Sequence, residues 1–235
     1  MSNTQRFGMP LVQSAQAQKH VTVNESLMRL DGLVNLVLQS VTTTQPPAAV
    51  IDGQCWGVPG SASGTWSGEA GRIAIGSNGG WVFVTPTAGM SAFVADQGTQ
   101  AFHSGTQWIV GAVSMGRQGS GMIIGMAEKE VQLSSGASFD TGVTIPANAM
   151  VIGAVAKVSV ALTGTVTTWK LGTTGAENRF GQGIGKAKNS WARGMLGSPM
   201  TYYQNANLMM TAESGQFTGG KVKLAVHWWE LRLPD

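Results

Sequence analysis

The residue types that most often do chemistry are few and scattered in this sequence. Its three histidines, His20, His103 and His227, lie far apart and lack the i, i+4 spacing of a helical zinc site. The 12 Asp and Glu residues show no pair of the kind that hydrolyses glycosidic bonds. The only cysteine, Cys55, excludes an intrachain disulfide and a cysteine-based zinc cluster. We therefore predict no enzyme activity, no metal site and no cofactor.

A glycine-rich run ending at Lys186 superficially resembles a phosphate-binding loop. Phe180 stands where that motif requires its first glycine, and Ala187 replaces the Ser or Thr that would hold magnesium. The net charge is only +3, and the basic residues form no cluster dense enough for a nucleic-acid footprint. We therefore predict neither a nucleotide site nor a nucleic-acid partner.

Aromatic side chains in the second half of the chain suggest binding to a ligand instead of catalysis. Trp169, Trp191, Tyr202 and Tyr203 lie in a polar, irregular stretch from 165 to 207. Aromatic rings stack on the C–H faces of sugars, and neighbouring amides and charged groups bind the hydroxyls. These four residues are our candidate glycan site. The alternative is that they fill the end of the fold or a subunit interface.

Few charges and many glycines characterise the whole sequence. Asp, Glu, Lys and Arg make up 11% of the residues, against about 25% in ordinary domains. Glycine occurs 33 times, which favours tight turns over long helices. A polar surface with few charges suits subunits that bury much of it against copies of themselves, because a buried charge needs a partner.

One helix is predicted near the N-terminus. Thr22 and Glu25 have the spacing of a capping box, and an apolar stripe follows, so we predict a helix over about 23–38 and a shorter helical turn over 14–20. Leu27, Leu30, Val34 and Val37 are the candidate assembly face of the helix. The alternative is that this face packs on its own domain.

Short strands are predicted for the rest of the chain. Trp66, Trp81 and Trp108 each follow a glycine turn, which is typical of hairpins whose tryptophans anchor a small core. Apolar residues alternate over 152–162, and they alternate again from Val222 to Trp228. The pattern inverts after Trp228, which predicts a bulge or a crossing between sheets near Trp228–Trp229.

The predicted fold is therefore mainly β. It has a short N-terminal helical region, a small β-hairpin domain, and a C-terminal antiparallel β-sandwich of jelly-roll type. We place the first domain at 1–118 and the second at 119–235, because 116–121 is rich in glycine. The opening residues lack an apolar leader and no stretch is long enough to span a bilayer, so we predict synthesis in the cytoplasm without a signal peptide and no membrane insertion.

Several segments carry a resemblance to a known family. The run from Gly8 to Glu25, with Gln16-Ala-Gln-Lys-His20 at its centre, continues to Asp31. It resembles the opening of a domain family of unknown function found in tail-fibre and head-spike proteins of phages and gene transfer agents, especially those of alphaproteobacteria. Residues 81–96 with Trp108 continue the likeness, and 215–227 is similar to the C-terminal β domain of such proteins.

The resemblance implies a structural component of a phage-like particle, exposed on the virion and released with it. Its expected partners are other capsid or tail proteins, further copies of itself and bacterial surface polysaccharide. We expect a homotrimer, with a pentamer as the alternative. The first domain would hold the subunit in the particle, and the sandwich would face outward. A capsule-degrading depolymerase and an internal connector without a receptor are the competing interpretations.

Overall fold

The computed structural model describes residues 3–12 and 19–234, with the exception of the Lys19 side chain. The chain divides into two compact units, the first ending at Gly119 and the second covering Ser120–Pro234. The described residues of the first unit form one α-helix, one short 3-10 helix and eight short strands. They are α1 (Lys19–Leu33), β1 (Val37–Leu38), β2 (Cys55–Gly57), the 3-10 helix (Gly64–Trp66), β3 (Ile73–Ser77), β4 (Gly80–Val84), β5 (Ser91–Val94), β6 (Thr99–His103), β7 (Trp108–Val110) and β8 (Ala112–Met115).

Seven of these strands form one sheet in the order β4-β3-β2-β1-β5-β6-β7. The short central strand β1 runs parallel to β2 and β5, and the outer pairs are antiparallel hairpins or meanders. The β3–β4 turn consists of Asn78 (φ 51°) and Gly79 (φ 74°), the residue pair that a tight type I′ hairpin requires. The hairpin predicted before Trp81 is therefore confirmed.

Tryptophans fill the core of this unit, as the sequence predicts. Trp66 is completely buried. Its ring packs 5.8 Å from that of Trp56 and 5.2 Å from that of Trp81, in tilted and edge-on geometries. Trp108 packs against a second cluster, which contains Leu38, Cys55 and Ile75.

The predicted helix is present but its bounds were wrong. Helix α1 begins at Lys19, so Thr22 lies inside it and cannot be its N-cap, and it ends at Leu33. Asn35 adopts a positive φ of 45°, which is a common way to end a helix, and Val37 already belongs to β1. The shorter helical turn predicted over 14–20 lies largely outside the described residues.

The second unit consists of eight strands that form two antiparallel sheets. They are β9 (Gly121–Gln132), β10 (Ser138–Ile145), β11 (Ala149–Gly164), β12 (Thr168–Thr173), β13 (Ala176–Gly185), β14 (Trp191–Tyr202), β15 (Ala206–Ala212) and β16 (Phe217–Arg232). One sheet has the order β10-β15-β12-β13, and in the other β14, β11, β16 and β9 follow one another. We call the first the β10–β13 sheet and the second the β14–β9 sheet.

The two sheets share a single hydrophobic core. The β10–β13 sheet contributes large side chains such as Trp169, Leu171 and Phe180, and the β14–β9 sheet contributes Val158 and Val226 among others. A core between two antiparallel sheets is the defining feature of a sandwich. The predicted mainly β fold with a C-terminal sandwich is confirmed.

Two details of strand phase differ from the prediction, since the register shift beside Trp228 lies on the partner strand β11. Strand β16 pairs with β9 from Lys221 to Arg232 without interruption, so its ladder with β9 has no bulge at Trp228–Trp229. The irregularities lie on β11, where the register shifts between Val151 and Gly153 and again after Val158. Because each shift changes which side chains face the core, Val160 is half-exposed although the pattern predicted it to be buried.

Candidate functional site

The four aromatic candidates do not form one site. Trp169 lies on β12 and is completely buried between the sheets. Its indole N–H donates a hydrogen bond to the carbonyl oxygen of Gly185 at 3.0 Å. A ring without solvent access cannot stack on a sugar, so the prediction that Trp169 contacts a glycan is corrected to a core role.

The other three aromatic residues occupy the two ends of β14. Trp191 is the first residue of the strand and Tyr202 is the last, which separates them by roughly 35 Å. Tyr202 is half-buried against the sandwich core, and Tyr203 beside it is exposed. Trp191 therefore lies too far from the two tyrosines to share a binding site with them, and each end of β14 is a separate candidate site.

Trp191 begins a row of side chains that crosses the outer face of the β14–β9 sheet. It pairs with Lys157 on β11, Lys157 pairs with Lys223 on β16, and Lys223 pairs with Glu130 on β9. Residues paired directly across antiparallel strands project from the same face. Charged and aromatic side chains from four strands thus meet on one surface, although they are far apart in the sequence.

A second row runs beside the first, two residues further along each strand. It consists of Arg193, Val155, Ala225 and Glu128. The small side chains of Val155 and Ala225 leave a depression of about 530 Å³ between the larger residues of both rows. We call this depression, with Trp191 at its edge, the Trp191 groove.

The indole of Trp191 is presented to solvent. Its side chain is 67% exposed, and the Arg193 guanidinium lies over the ring at 5.9 Å from its centroid. A cation at this distance orients the ring and is attracted to its π face. Trp191 is therefore a positioned aromatic platform.

The cations of the groove have no carboxylate partners among the described residues. Ion pairs in residues 3–12 and 19–234 join Glu25 to Arg29 and Glu69 to Arg72, all in the first unit. Lys157, Arg193 and Lys223 take part in neither. Their positive charge remains available to a ligand.

A second depression adjoins Trp191 on its other side. It has a volume of about 620 Å³ and is lined by residues 180–185 and 188–193. Trp191, Arg193 and Asn189 belong to both depressions. The two depressions thus form one extended surface on both sides of the indole. Lys188 adds a further cation to it.

A large apolar surface occupies the other end of the same sheet face. Pairing places Met122 beside Leu231, and Ile124 beside Trp229 and Met150. The side chains that share this face and are exposed are Met122, Ile124, Met126, Met150, Met195, Trp229 and Leu231. We call this set the apolar face. The alternation that marks it was visible in the sequence after Trp228, but it was interpreted as a bulge.

The candidate assembly residues of the helix also do not form one exposed stripe. Leu27 is half-buried, whereas Leu30 and Val34 are exposed. Val37 lies in β1 opposite Phe93 and so belongs to the sheet, not to a helical stripe. No helix in the described part of the chain is both long and apolar enough to cross a membrane.

The shifted titratable groups have structural explanations. Burial raises the pKa of the Cys55 thiol to about 12, and burial also lowers the pKa of His103. A hydrogen bond from Asn207 lowers the pKa of Asp140. Within residues 3–12 and 19–234, no three His, Cys, Asp or Glu side chains are grouped so that they could hold a metal ion.

Comparison with known proteins gives partial matches. "Cyanophage Pam1 capsid asymmetric unit" is 16% identical with a TM-score of 0.36, over 51% of this chain and 91% of that chain. "Acidic stable capsid structure of Helicobacter pylori bacteriophage KHP30" is 17% identical with a TM-score of 0.36, over 49% and 94%. Structural similarity at this low TM-score does not indicate a function for this chain.

No curated protein matches the chain in sequence. The likeness expected for residues 215–227 stays a prediction. The family model described as "Protein of unknown function (DUF2793)" matches residues 23–109, which all lie in the first unit and are less than half of the chain.

Proposed function

We propose that this chain is a non-catalytic spike or fibre subunit of a phage or gene transfer agent, which assembles with copies of itself and attaches the particle to host surface polysaccharide. The single observation that carries the proposal is the apolar face on the β14–β9 sheet. The resemblance of residues 8–31 to the opening of fibre and spike proteins supports the particle context.

Self-association follows from the physics of the apolar face. Monomeric proteins rarely expose seven large apolar side chains side by side, because water around such a surface costs free energy that contact with another surface recovers. On this proposal the apolar face is covered in the particle by another subunit. A homotrimer is the preferred symmetry, and a pentamer is the alternative.

The roles of the two units differ in this proposal. The first unit, with Leu30 exposed on α1 and Val34 exposed just after it, contacts other particle proteins, and the sandwich faces outward. The exposed Trp191 favours this arrangement over an internal connector, because a connector without a receptor does not require a solvent-exposed aromatic ring. On this proposal the protein is synthesised in the cytoplasm and leaves the cell as part of the released particle.

The test is the mass of the purified protein by light scattering. We expect an oligomer for the native chain and a monomer for Leu231→Glu, because Leu231 is 79% exposed and a carboxylate there would be buried unpaired in the interface. The matched control is Val160→Glu, which changes an exposed apolar residue on β11 outside the apolar face and should leave the oligomer intact.

A native chain that stays monomeric at high concentration would overturn self-assembly through this face. So would an oligomer that persists unchanged in Leu231→Glu. Dissociation of the Val160→Glu variant to the same extent would show that the apolar face is not the surface responsible.

A depolymerase is the second candidate because of one specific placement. Glu128 and Glu130 lie two residues apart on the outer face of β9, so their Cα atoms are separated by roughly 7 Å, next to the Trp191 groove. The Ser159 hydroxyl donates a hydrogen bond to Glu130 at 2.7 Å. Reducing ends released from capsular polysaccharide by the native chain, and abolished in Glu128→Gln or Glu130→Gln, would replace the non-catalytic proposal.

A further inference from the structure

The Trp191 groove has features that select among polysaccharides. Its indole provides a flat apolar surface for the C–H face of one sugar ring. The depressions on both sides of the indole continue past it, so a bound chain can extend in two directions. This geometry fits an oligosaccharide segment better than a single small molecule.

The charge of the Trp191 groove and the adjoining depression is strongly one-sided. Among the described residues, four cations line the two depressions and Glu128 is the only acidic residue that lines either. The cations are Lys157, Lys188, Arg193 and Lys223. Glu130 stands in the neighbouring row opposite Lys223 and accepts the hydrogen bond from Ser159. Because these cations form no ion pair with a carboxylate among the described residues, they attract an anionic ligand to the surface that carries the Trp191 indole.

We infer that the Trp191 groove binds an acidic polysaccharide, with one sugar ring stacked on Trp191 and sugar carboxylates held by Arg193, Lys157 and Lys223. This inference rests on the proposed adhesive function and adds the chemical class of its ligand. A carboxylate suits Arg193 because the planar guanidinium can donate two parallel hydrogen bonds to it.

A single-stranded nucleic acid is the other polyanion that stacks on aromatic rings. It is bound by several aromatic side chains in succession, one for each base. The Trp191 groove provides one exposed indole among aliphatic and polar neighbours. A sugar chain with one stacked ring therefore fits the surface better.

The experiment compares two probes with the same sugar chain, one with ionised carboxylates and one with uncharged methyl esters. The full-length protein is titrated with a hexasaccharide of oligogalacturonate and with the same hexasaccharide after complete methyl esterification, and binding is measured by NMR shifts. We expect the acidic form to bind roughly fivefold more tightly at about 0.05 M NaCl, because two or three exposed ion pairs contribute modestly each. The preference should disappear at about 0.5 M NaCl.

Variants separate stacking from charge. Trp191→Ala should weaken both probes by roughly tenfold, because loss of the platform does not depend on the charge of the sugar. Arg193→Gln should reduce the preference for the acidic form more than it weakens the esterified form. Leu233→Ala and Lys170→Gln, which alter an exposed apolar residue and a lysine outside the groove, are the matched controls.

Each contrary result has a distinct meaning. Equal binding of the acidic and esterified probes would overturn the acidic class and leave an adhesive protein. Binding of neither probe would overturn the glycan groove, while the light-scattering result would still decide self-assembly. A thymidine hexanucleotide that bound as tightly as oligogalacturonate would show a general polyanion surface and would overturn the choice of a sugar.

Discussion

Asp31 is the residue on which the N-terminal segment depends. Its carboxylate is fully buried and accepts hydrogen bonds from the Thr4 hydroxyl at 2.7 Å and from the backbone N–H groups of Arg6 and Phe7 at 2.9 and 2.8 Å. The Arg6 guanidinium in turn donates to backbone carbonyls at the end of α1, including that of Gly32 at 2.8 Å. Carbonyls at a helix C-terminus lack partners within the helix, so Arg6 satisfies them.

Replacement of Asp31 should therefore destabilise the first unit. We expect Asp31→Ala to lower the free energy of unfolding by about 2–4 kcal/mol, because three donors lose their buried acceptor. Urea unfolding followed by tryptophan fluorescence measures the change. Asp96→Ala, at an exposed turn position, should change it by less than about 0.5 kcal/mol. Equal effects of the two substitutions would contradict a special role for Asp31.

At the scale of elements, one glycine of β9 makes room for a large side chain of β16. Gly125 pairs with Trp228, and the Trp228 indole lies over it so closely that a Cβ at this position would overlap the ring. The indole N–H donates to the Glu230 carboxylate, which holds the ring in place. Gly125 thus lets a large aromatic side chain fill the inner side of the sheet.

Gly125→Ala should displace this ring. We expect a loss of about 1–3 kcal/mol in the free energy of unfolding and a changed near-UV circular dichroism spectrum, because the added methyl group overpacks the core. The control is Gly197→Ala on β14, where an added Cβ meets open space. A Gly125→Ala protein with the native spectrum and native stability would show that the core adapts and that the close contact is not required.

The whole molecule consists of two units with separate hydrophobic cores. The large cluster contains residues of the sandwich alone, and the two smaller clusters contain residues of the first unit alone. A core that draws on no residue of the neighbouring unit favours independent folding. The sandwich also exceeds the size below which a domain usually needs disulfides or metals.

A chain that begins at Ser120 should therefore fold on its own. We expect a β-type circular dichroism spectrum, dispersed amide signals and cooperative urea unfolding of this fragment. A soluble fragment whose amide NMR signals show no dispersion would indicate that the stability of the sandwich depends on the first unit. The fragment that ends at Gly119 provides the complementary measurement.

Local sequence patterns determined most of the architecture. Asn78-Gly79 specifies a hairpin turn by itself, since both residues tolerate positive φ, and the alternation from Val222 to Trp228 specifies a strand with one buried face. The helix was found but its end was misplaced, because a single Asn at position 35 ended it where the apolar stripe continued.

The site could not be predicted in the same way, because it depends on which strands pair. Trp169 and Trp191 have similar polar surroundings in the sequence, yet one is buried and the other is exposed. Alternation says that one face of a strand is buried, but pairing across strands and the bulges of β11 decide which residues occupy it. The sequence by itself therefore determined the strands and turns, whose causes are local. Only the tertiary structure decided that Trp191, Lys157 and Lys223 share a surface, because that proximity comes from contacts between residues far apart in the chain.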